Sequence, residues 1–146
     1  MYRVLVADKL AKQGLEILRS VPEIQVEEAN GLKPAELAER IGPFDALIVR
    51  SGSRVTAEVI DKAHKLKVIG RAGIGVDNID VDAATKRGVV VMNTPAGNNV
   101  TTAEHTISML LSLARLIPQA TASMKAGKWE KGKFTGTEVY NKTLGI

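Results

Sequence analysis

The sequence predicts an α/β fold: a doubly wound, parallel, five-stranded sheet. Short apolar strands alternate with helical patterns through the first 93 residues. Most of those strands are apolar on successive residues, as expected where both faces of a parallel sheet are covered. Helix and turn breakers, Pro22, Gly42-Pro43 and Gly88, fall between the patterns.

In chain order, Arg3 to Ala7 reads as a buried strand ending at Asp8. Leu10, Leu15, Ile17 and Leu18 follow at helical spacing, and Pro22 closes that helix. Ile24 to Glu28 alternates, as an edge strand does. Pro34 suits the first turn of a helix with Leu37, Ala38 and Ile41 on one face. Ala46 to Val49 is the next strand and stops at Arg50. Thr56 caps a helix carrying Val59, Ile60 and Ala63 inward. Lys67 to Gly70 is a strand leading into Arg71-Ala72-Gly73-Ile74-Gly75, and Asp80 caps the helix after it. Val89 to Met92 is the fifth strand. With the most polar strand second and at an edge, the flavodoxin-like order 2-1-3-4-5 fits.

The tail has a different character. Thr94 to Asn99 is a polar loop, and Thr101-Thr102-Ala103-Glu104 reads as a capping box that starts a long helix to about Ile117. Ile107, Leu110, Leu111 and Ala114 make one apolar face, and Met109, Leu113 and Leu116 make a second. A helix with two apolar faces is expected between two bodies, a domain or a second subunit. Pro118 begins a further helical piece, Gln119 to Lys125, stopped by Gly127. Trp129 to Thr137 shows no period, and Thr143 to Ile146 resembles the opening of a strand. The expected division is residues 1–99 as a substrate-binding domain and 100–146 as a helix and linker.

The chain has 146 residues, 45% hydrophobic and 25% charged, which suits one soluble domain with an appendage. The formal charge of +4 is spread out, apart from four lysines between Lys125 and Lys133. With 3% aromatics and no arginine-rich run, a nucleic-acid surface is not expected. There is no cysteine, so thiolate metal sites and disulfides are excluded. Neither a signal peptide nor an apolar run of membrane-spanning length is evident, which points to the cytoplasm and away from a membrane.

Arg50 and Arg71 form the most informative pair, each at the C-terminal end of a core strand. On neighbouring strands they would lie roughly 4.8 Å apart. Two arginines with the N–H groups of Gly73 to Gly75 suit a carboxylate or a phosphate. Gly73 and Gly75 would let the backbone turn sharply and approach a ligand. The competing readings, Arg50 paired with an acidic neighbour and Arg71 in solvent after an ordinary turn, weigh equally on the residues alone. A dinucleotide fingerprint fails because its third glycine position is Asn78. His64 and His105 lack the companions of a catalytic or metal site, and no carboxylate pair stands out as acid and base. A phosphoacceptor domain would need an Asp where Arg50 stands, and a flavin site would need aromatics in the strand-end loops.

Leu47-Ile48-Val49-Arg50-Ser51, Gly70 to Asp80 and Val91-Met92-Asn93-Thr94-Pro95 together resemble the NAD-dependent D-2-hydroxyacid dehydrogenases. Pro118 to Lys125 and Gly127-Lys128-Trp129-Glu130 resemble the branch acting on 3-phosphoglycerate. That resemblance implies oxidation of 3-phosphoglycerate to 3-phosphohydroxypyruvate with NAD, the first step of serine biosynthesis. Arg50 and Arg71 match arginines holding the anionic substrate, and Gly73, Ile74 and Gly75 the segment over its carboxylate and the nicotinamide. Ile74 and Val76 fall where relatives contact the cofactor, and Asn98 lies in the substrate loop. Lys131 aligns with a basic residue reaching the phosphate from a partner subunit, here without a guanidinium's bidentate geometry. The helix over 101–117 matches the family's dimer and interdomain helix. Thr143 to Ile146 matches the first Rossmann strand, so the glycine fingerprint, the general-base His, its Glu and the catalytic Arg are expected beyond Ile146. So is a C-terminal segment that completes the substrate domain. No catalytic residue is then expected within the chain, and these 146 residues alone are expected to be inactive. The alternative is a non-catalytic anion-binding fragment or a dimerisation module.

Overall fold

The computed structural model describes residues 1–146, which divide into two compact units, Met1–Gly97 and Asn98–Ile146. The division falls two residues before the expected boundary after 99. In the first unit, strands β1 (Tyr2–Val6), β2 (Ile24–Glu28), β3 (Ala46–Val49), β4 (Val68–Arg71) and β5 (Val90–Met92) form one sheet. All its pairings are parallel, in the order β2-β1-β3-β4-β5. This is the doubly wound order expected from the sequence. The polar strand β2 takes an edge, where its carboxylates reach water.

Strand alternation sorts the side chains onto two faces. Leu5, Leu47, Val49 and Ile69 point to the larger core. There they meet helices α2 (Pro34–Arg40), α3 (Ala57–Lys62) and α4 (Val81–Lys86) through Leu37, Val59, Ile60 and Ala84. Val4, Val6 and Ile48 point the other way, against Leu15 and Leu18 of α1 (Lys12–Arg19). Within Met1–Gly97, α1 covers this second face only over β1, β2 and β3. On the far side Val90 and Met92 are more than half exposed, and Ile17 of α1 is 68% exposed. A groove therefore runs between α1 and the β5 side of the sheet.

The caps of α3 and α4 are as expected: Thr56 accepts from the Val59 N–H and Asp80 from the Ala83 N–H. Pro34 opens α2. Strand bounds shift by one residue, so Lys67 and Val89 precede their strands and Arg71 is the last residue of β4. Helix α1 ends at Arg19, ahead of Pro22, because the residue before a proline is pushed out of the helical region.

Around Arg3 on β1, several charges of the sheet are engaged. Asp45 Oδ2 accepts from the Arg3 N–H at 3.0 Å, and Asp45 Oδ1 lies 3.4 Å from Lys67 Nζ. Glu27 receives Arg40 at 2.6 Å and Arg3 at 3.3 Å. The Arg3 guanidinium also stacks over the Phe44 ring.

In the second unit, α5 (Asn99–Ala114) and α6 (Ile117–Lys125) are followed by a 3₁₀ turn at Lys131–Lys133. Helix α5 does not start at the expected capping box. Its N-cap is Asn98, whose carbonyl accepts from the Thr102 N–H at 2.9 Å, so Thr101 to Glu104 lie inside the helix. Nor does it run to Ile117. Pro118 has no N–H, and its ring would strike the carbonyl four residues back, that of Ala114. The Ala114 carbonyl accepts instead from Thr137 N–H at 2.7 Å, and Leu116 turns the chain with φ 55°. Gly136 is required there, since a Cβ would overlap the Ala114 carbonyl. Thr143 to Ile146 form no strand, because a strand needs a neighbour to pair with and none lies beside them. No residue of α5 or α6 is buried, and Val100, Met109 and Leu113 are largely exposed.

Two outcomes follow from this packing. Leu47→Ala, at a fully buried position, is expected to lower stability by about 2–5 kcal/mol, and Ile17→Ala by no more than about 0.5 kcal/mol, in urea unfolding. The second concerns acid. The hydrogen bond from the Arg3 N–H, with help from Lys67, holds the Asp45 carboxyl below its ordinary range. A carboxylate depressed in the folded state adds stability above the unfolded value of about 4 and loses it as pH falls through the folded one. Thermal melts should therefore show the midpoint dropping below about pH 4, and Asp45→Asn should flatten that drop.

Candidate functional site

Strands β3 and β4 pair with Val49 opposite Arg71, so Arg50 follows one residue beyond that pair at the same edge of the sheet. Both arginines line a cavity of about 680 Å³ at the head of the groove, with Leu10, Ile48, Gly70 and Met92. Asn93 and Thr94 line it as well. The six ion pairs of the chain involve neither Arg50 nor Arg71. The expected alternative, Arg50 paired with an acidic neighbour, does not occur: Asp8 takes its backbone N–H, while Nη1 reaches only the Lys9 carbonyl at 3.4 Å. Arg71 is half-buried and donates from Nε to Asn78 Oδ1 at 3.3 Å. Two guanidiniums without counter-charges thus border one cavity, the arrangement an anion relieves.

The backbone around them is tied down by residues whose roles the sequence does not display. Asp8 Oδ2 accepts from the N–H groups of Arg50 at 2.6 Å and Ser53 at 3.0 Å. The Asp8 carboxylate fills the space a Cβ at Gly52 would need. Ser53, 1% exposed, donates its hydroxyl to the Ala7 carbonyl at 3.1 Å. Asn78 Nδ2 donates to the Arg50 carbonyl at 2.6 Å and to the Ser53 carbonyl at 2.7 Å. Asn93 Nδ2 holds the Ile74 carbonyl at 2.7 Å, and Thr94 N–H holds that of Gly73 at 2.9 Å. Asp8, Asn78 and Asn93 share only one sequence signal, a short polar side chain at or just past a strand end or in the loop that follows.

The glycine loop differs from expectation in two respects. Neither Gly73 nor Gly75 has positive φ, so neither is a left-handed turn residue. At Gly73 an added Cβ would instead meet the Arg71 guanidinium as it is placed. The Gly73 N–H donates to the Arg71 carbonyl at 2.8 Å and is not free for an anion, whereas the N–H groups of Ile74 and Gly75 meet no protein acceptor. Gly73, Ile74 and Gly75 lie outside the cavity lining, and the Ile74 side chain is 38% exposed.

Asn98 and Lys131 belong to the second unit. Asn98 is the N-cap of α5, without a side-chain cap bond. Lys131 lines a separate cavity of about 230 Å³ with Trp129, Phe134 and Met124. The neighbouring Glu130 carboxyl is held below its ordinary range by hydrogen bonds from Lys133, then Ser123. That carboxylate is therefore committed to Lys133 and Ser123, and Lys131 has no ion-pair partner.

Residues 4–142 match the family model of the D-isomer specific 2-hydroxyacid dehydrogenase, catalytic domain. A D-3-phosphoglycerate dehydrogenase of Methanocaldococcus jannaschii is 52% identical over 146 residues, 100% of this chain and 28% of that one. A crystal structure of a Thermus thermophilus protein superposes with TM-score 0.82 at 35% identity, over 94% of this chain and 45% of that one. The NAD⁺-bound 3-phosphoglycerate dehydrogenase of Entamoeba histolytica gives TM-score 0.69 at 32% identity, over 78% and 39%. The chain thus spans between a quarter and a half of the length of these relatives. With its parallel sheet, its strand-end arginines and this match over nearly its whole length, the chain belongs to the D-isomer specific 2-hydroxyacid dehydrogenase family of oxidoreductases.

Proposed function

We propose that this chain is the substrate-holding part of an NAD-dependent D-3-phosphoglycerate dehydrogenase, oxidising 3-phosphoglycerate to 3-phosphohydroxypyruvate in serine biosynthesis. The observation that carries this is the pair Arg50 and Arg71, unneutralised on one cavity. A substrate with two anionic groups, a carboxylate and a phosphate, supplies the missing charge. The free N–H groups of Ile74 and Gly75 add donors for the carboxylate. The resemblance assigns Asn98 to the substrate loop, and Lys131, reaching in from a partner subunit, to the phosphate as a point charge. No proton- or hydride-transfer role falls to any of these residues. A cytoplasmic location accompanies this reading; no helix is long and apolar enough to cross a membrane.

The loop fits only one edge of NAD. Ile74 and Val76 offer an apolar contact for a nicotinamide ring. The pyrophosphate finds no seat here, because the N-terminus of α4 is already capped by the Asp80 carboxylate, which repels a phosphate. A bound nicotinamide would supply the hydride acceptor; Ile74 and Val76 would hold its ring, and Arg50 and Arg71 would hold the substrate.

A homodimer through residues 101–117 belongs to the same proposal, and a purely dimerising module is the second reading. The exposed Met109 and Leu113 on one face of α5, and Ile107 and Leu111 on the other, favour association, since apolar surface of this kind is rarely left in water.

Titration by NMR tests the substrate site. We expect 3-phosphoglycerate to bind with about millimolar Kd, since the arginines face water, and more weakly as salt rises. Shifts should centre on Arg50 and on residues 71–75. Arg71→Ala should weaken binding more than Arg54→Ala; shifts confined to α5 would overturn the assignment. Sedimentation tests the other proposal: a dimer is expected, and Leu113→Glu should dissociate it.

A further inference from the structure

We propose that Asn78 is the positioning residue of the anion site, a neutral amide that holds both arginine-bearing strand ends and aims Arg71. This rests on reading Arg50 and Arg71 as that site. The Asn78 side chain uses three hydrogen bonds. Nδ2 donates to the Arg50 carbonyl at 2.6 Å and the Ser53 carbonyl at 2.7 Å, fixing the segment after β3. Oδ1 accepts from Arg71 Nε at 3.3 Å. The backbone is pinned as well, because the Asn78 carbonyl accepts from the Val55 N–H at 2.8 Å. One planar group therefore spans the ends of β3 and β4 while held from behind.

The chemistry of the amide is specific to this task. Engaging Nε leaves both terminal nitrogens of the Arg71 fork without a protein acceptor, the pair a carboxylate or phosphate takes bidentately. An aspartate at 78 would keep the acceptor for Nε. It would lose both donors to the carbonyls, and its charge would neutralise the guanidinium the anion needs. Alanine would lose aim and anchor together. Gly73 completes the device, because a Cβ there would collide with the guanidinium so placed.

The test reads the arginine Nε–H signals in ¹H–¹⁵N spectra of the ¹⁵N-labelled chain. Arg71 is assigned by its loss in Arg71→Lys. Arg40, whose Nε donates to Glu27 at 3.1 Å, is the control for an intact fold. In the parent the Arg71 signal should be protected from exchange with water. In Asn78→Ala it should lose that protection while Arg40 keeps it, and the Kd for 3-phosphoglycerate should rise about three- to tenfold. In Asn78→Asp the Arg71 signal should stay protected, yet the Kd should rise further than in Asn78→Ala. That inversion is not produced by a merely structural residue, whose variants would lose affinity in step with stability. An unprotected Arg71 signal in the parent, or an Asn78→Asp chain that binds as well as the parent, overturns the proposal. If the parent binds no 3-phosphoglycerate but Arg71 protection still follows residue 78, the anion reading fails and the positioning stands.

Discussion

The site depends on the register between β3 and β4. Pairing Val49 with Arg71 places the next residue, Arg50, at the same edge of the sheet. A slip of one residue would send every side chain of one strand to the opposite face. The register is held by burial: Leu47, Val49 and Ile69 are fully buried among α2, α3 and α4, and none tolerates the solvent side. Hydrophobic packing of the sheet and the aim of two cations are thus one constraint.

Charges away from the cavity and charges on it are answered differently. Arg3, Arg40 and Lys67 each meet a carboxylate. Around the cavity, the Asp8 carboxylate is spent on the backbone N–H groups of Arg50 and Ser53. It shapes the loop without reaching the guanidiniums by an ion pair. Paired and unpaired charges are separated in space: the ion pairs of Asp45 and Glu27 lie away from the cavity, and the unpaired arginines lie on it. Exposed ion pairs contribute little each, so leaving two arginines unpaired costs the fold little.

The second unit obeys backbone constraints more than packing. Pro118 and the left-handed Leu116 divide what the apolar pattern presents as one helix. The Ala114 carbonyl freed by that break is satisfied by Thr137 across Gly136. Neither helix has a buried residue, so the apolar content of α5 is surface rather than core.

Much of this was legible in the sequence. Short apolar runs alternating with helical periods specify a parallel sheet, and the polar run at Ile24–Glu28 specifies its edge, because burial dictates which residues a strand presents. Arg50 and Arg71 were legible as strand-end residues, and the motifs around them carried the family. Other features were decided only by tertiary structure. Asp8 is far along the chain from Arg50, and Asn78 from both Arg50 and Ser53; no local pattern encodes such hydrogen bonds, which exist only once the strands lie side by side. Gly73 gives the same lesson: the sequence marks a turn, while the structure shows space cleared for a guanidinium. The capping box at Thr101 to Glu104 lost to an earlier start at Asn98, since a local signal competes with whatever hydrogen bonds the folded chain offers. Sequence determines what must be buried; where the remaining polar groups find their partners is decided by the folded backbone.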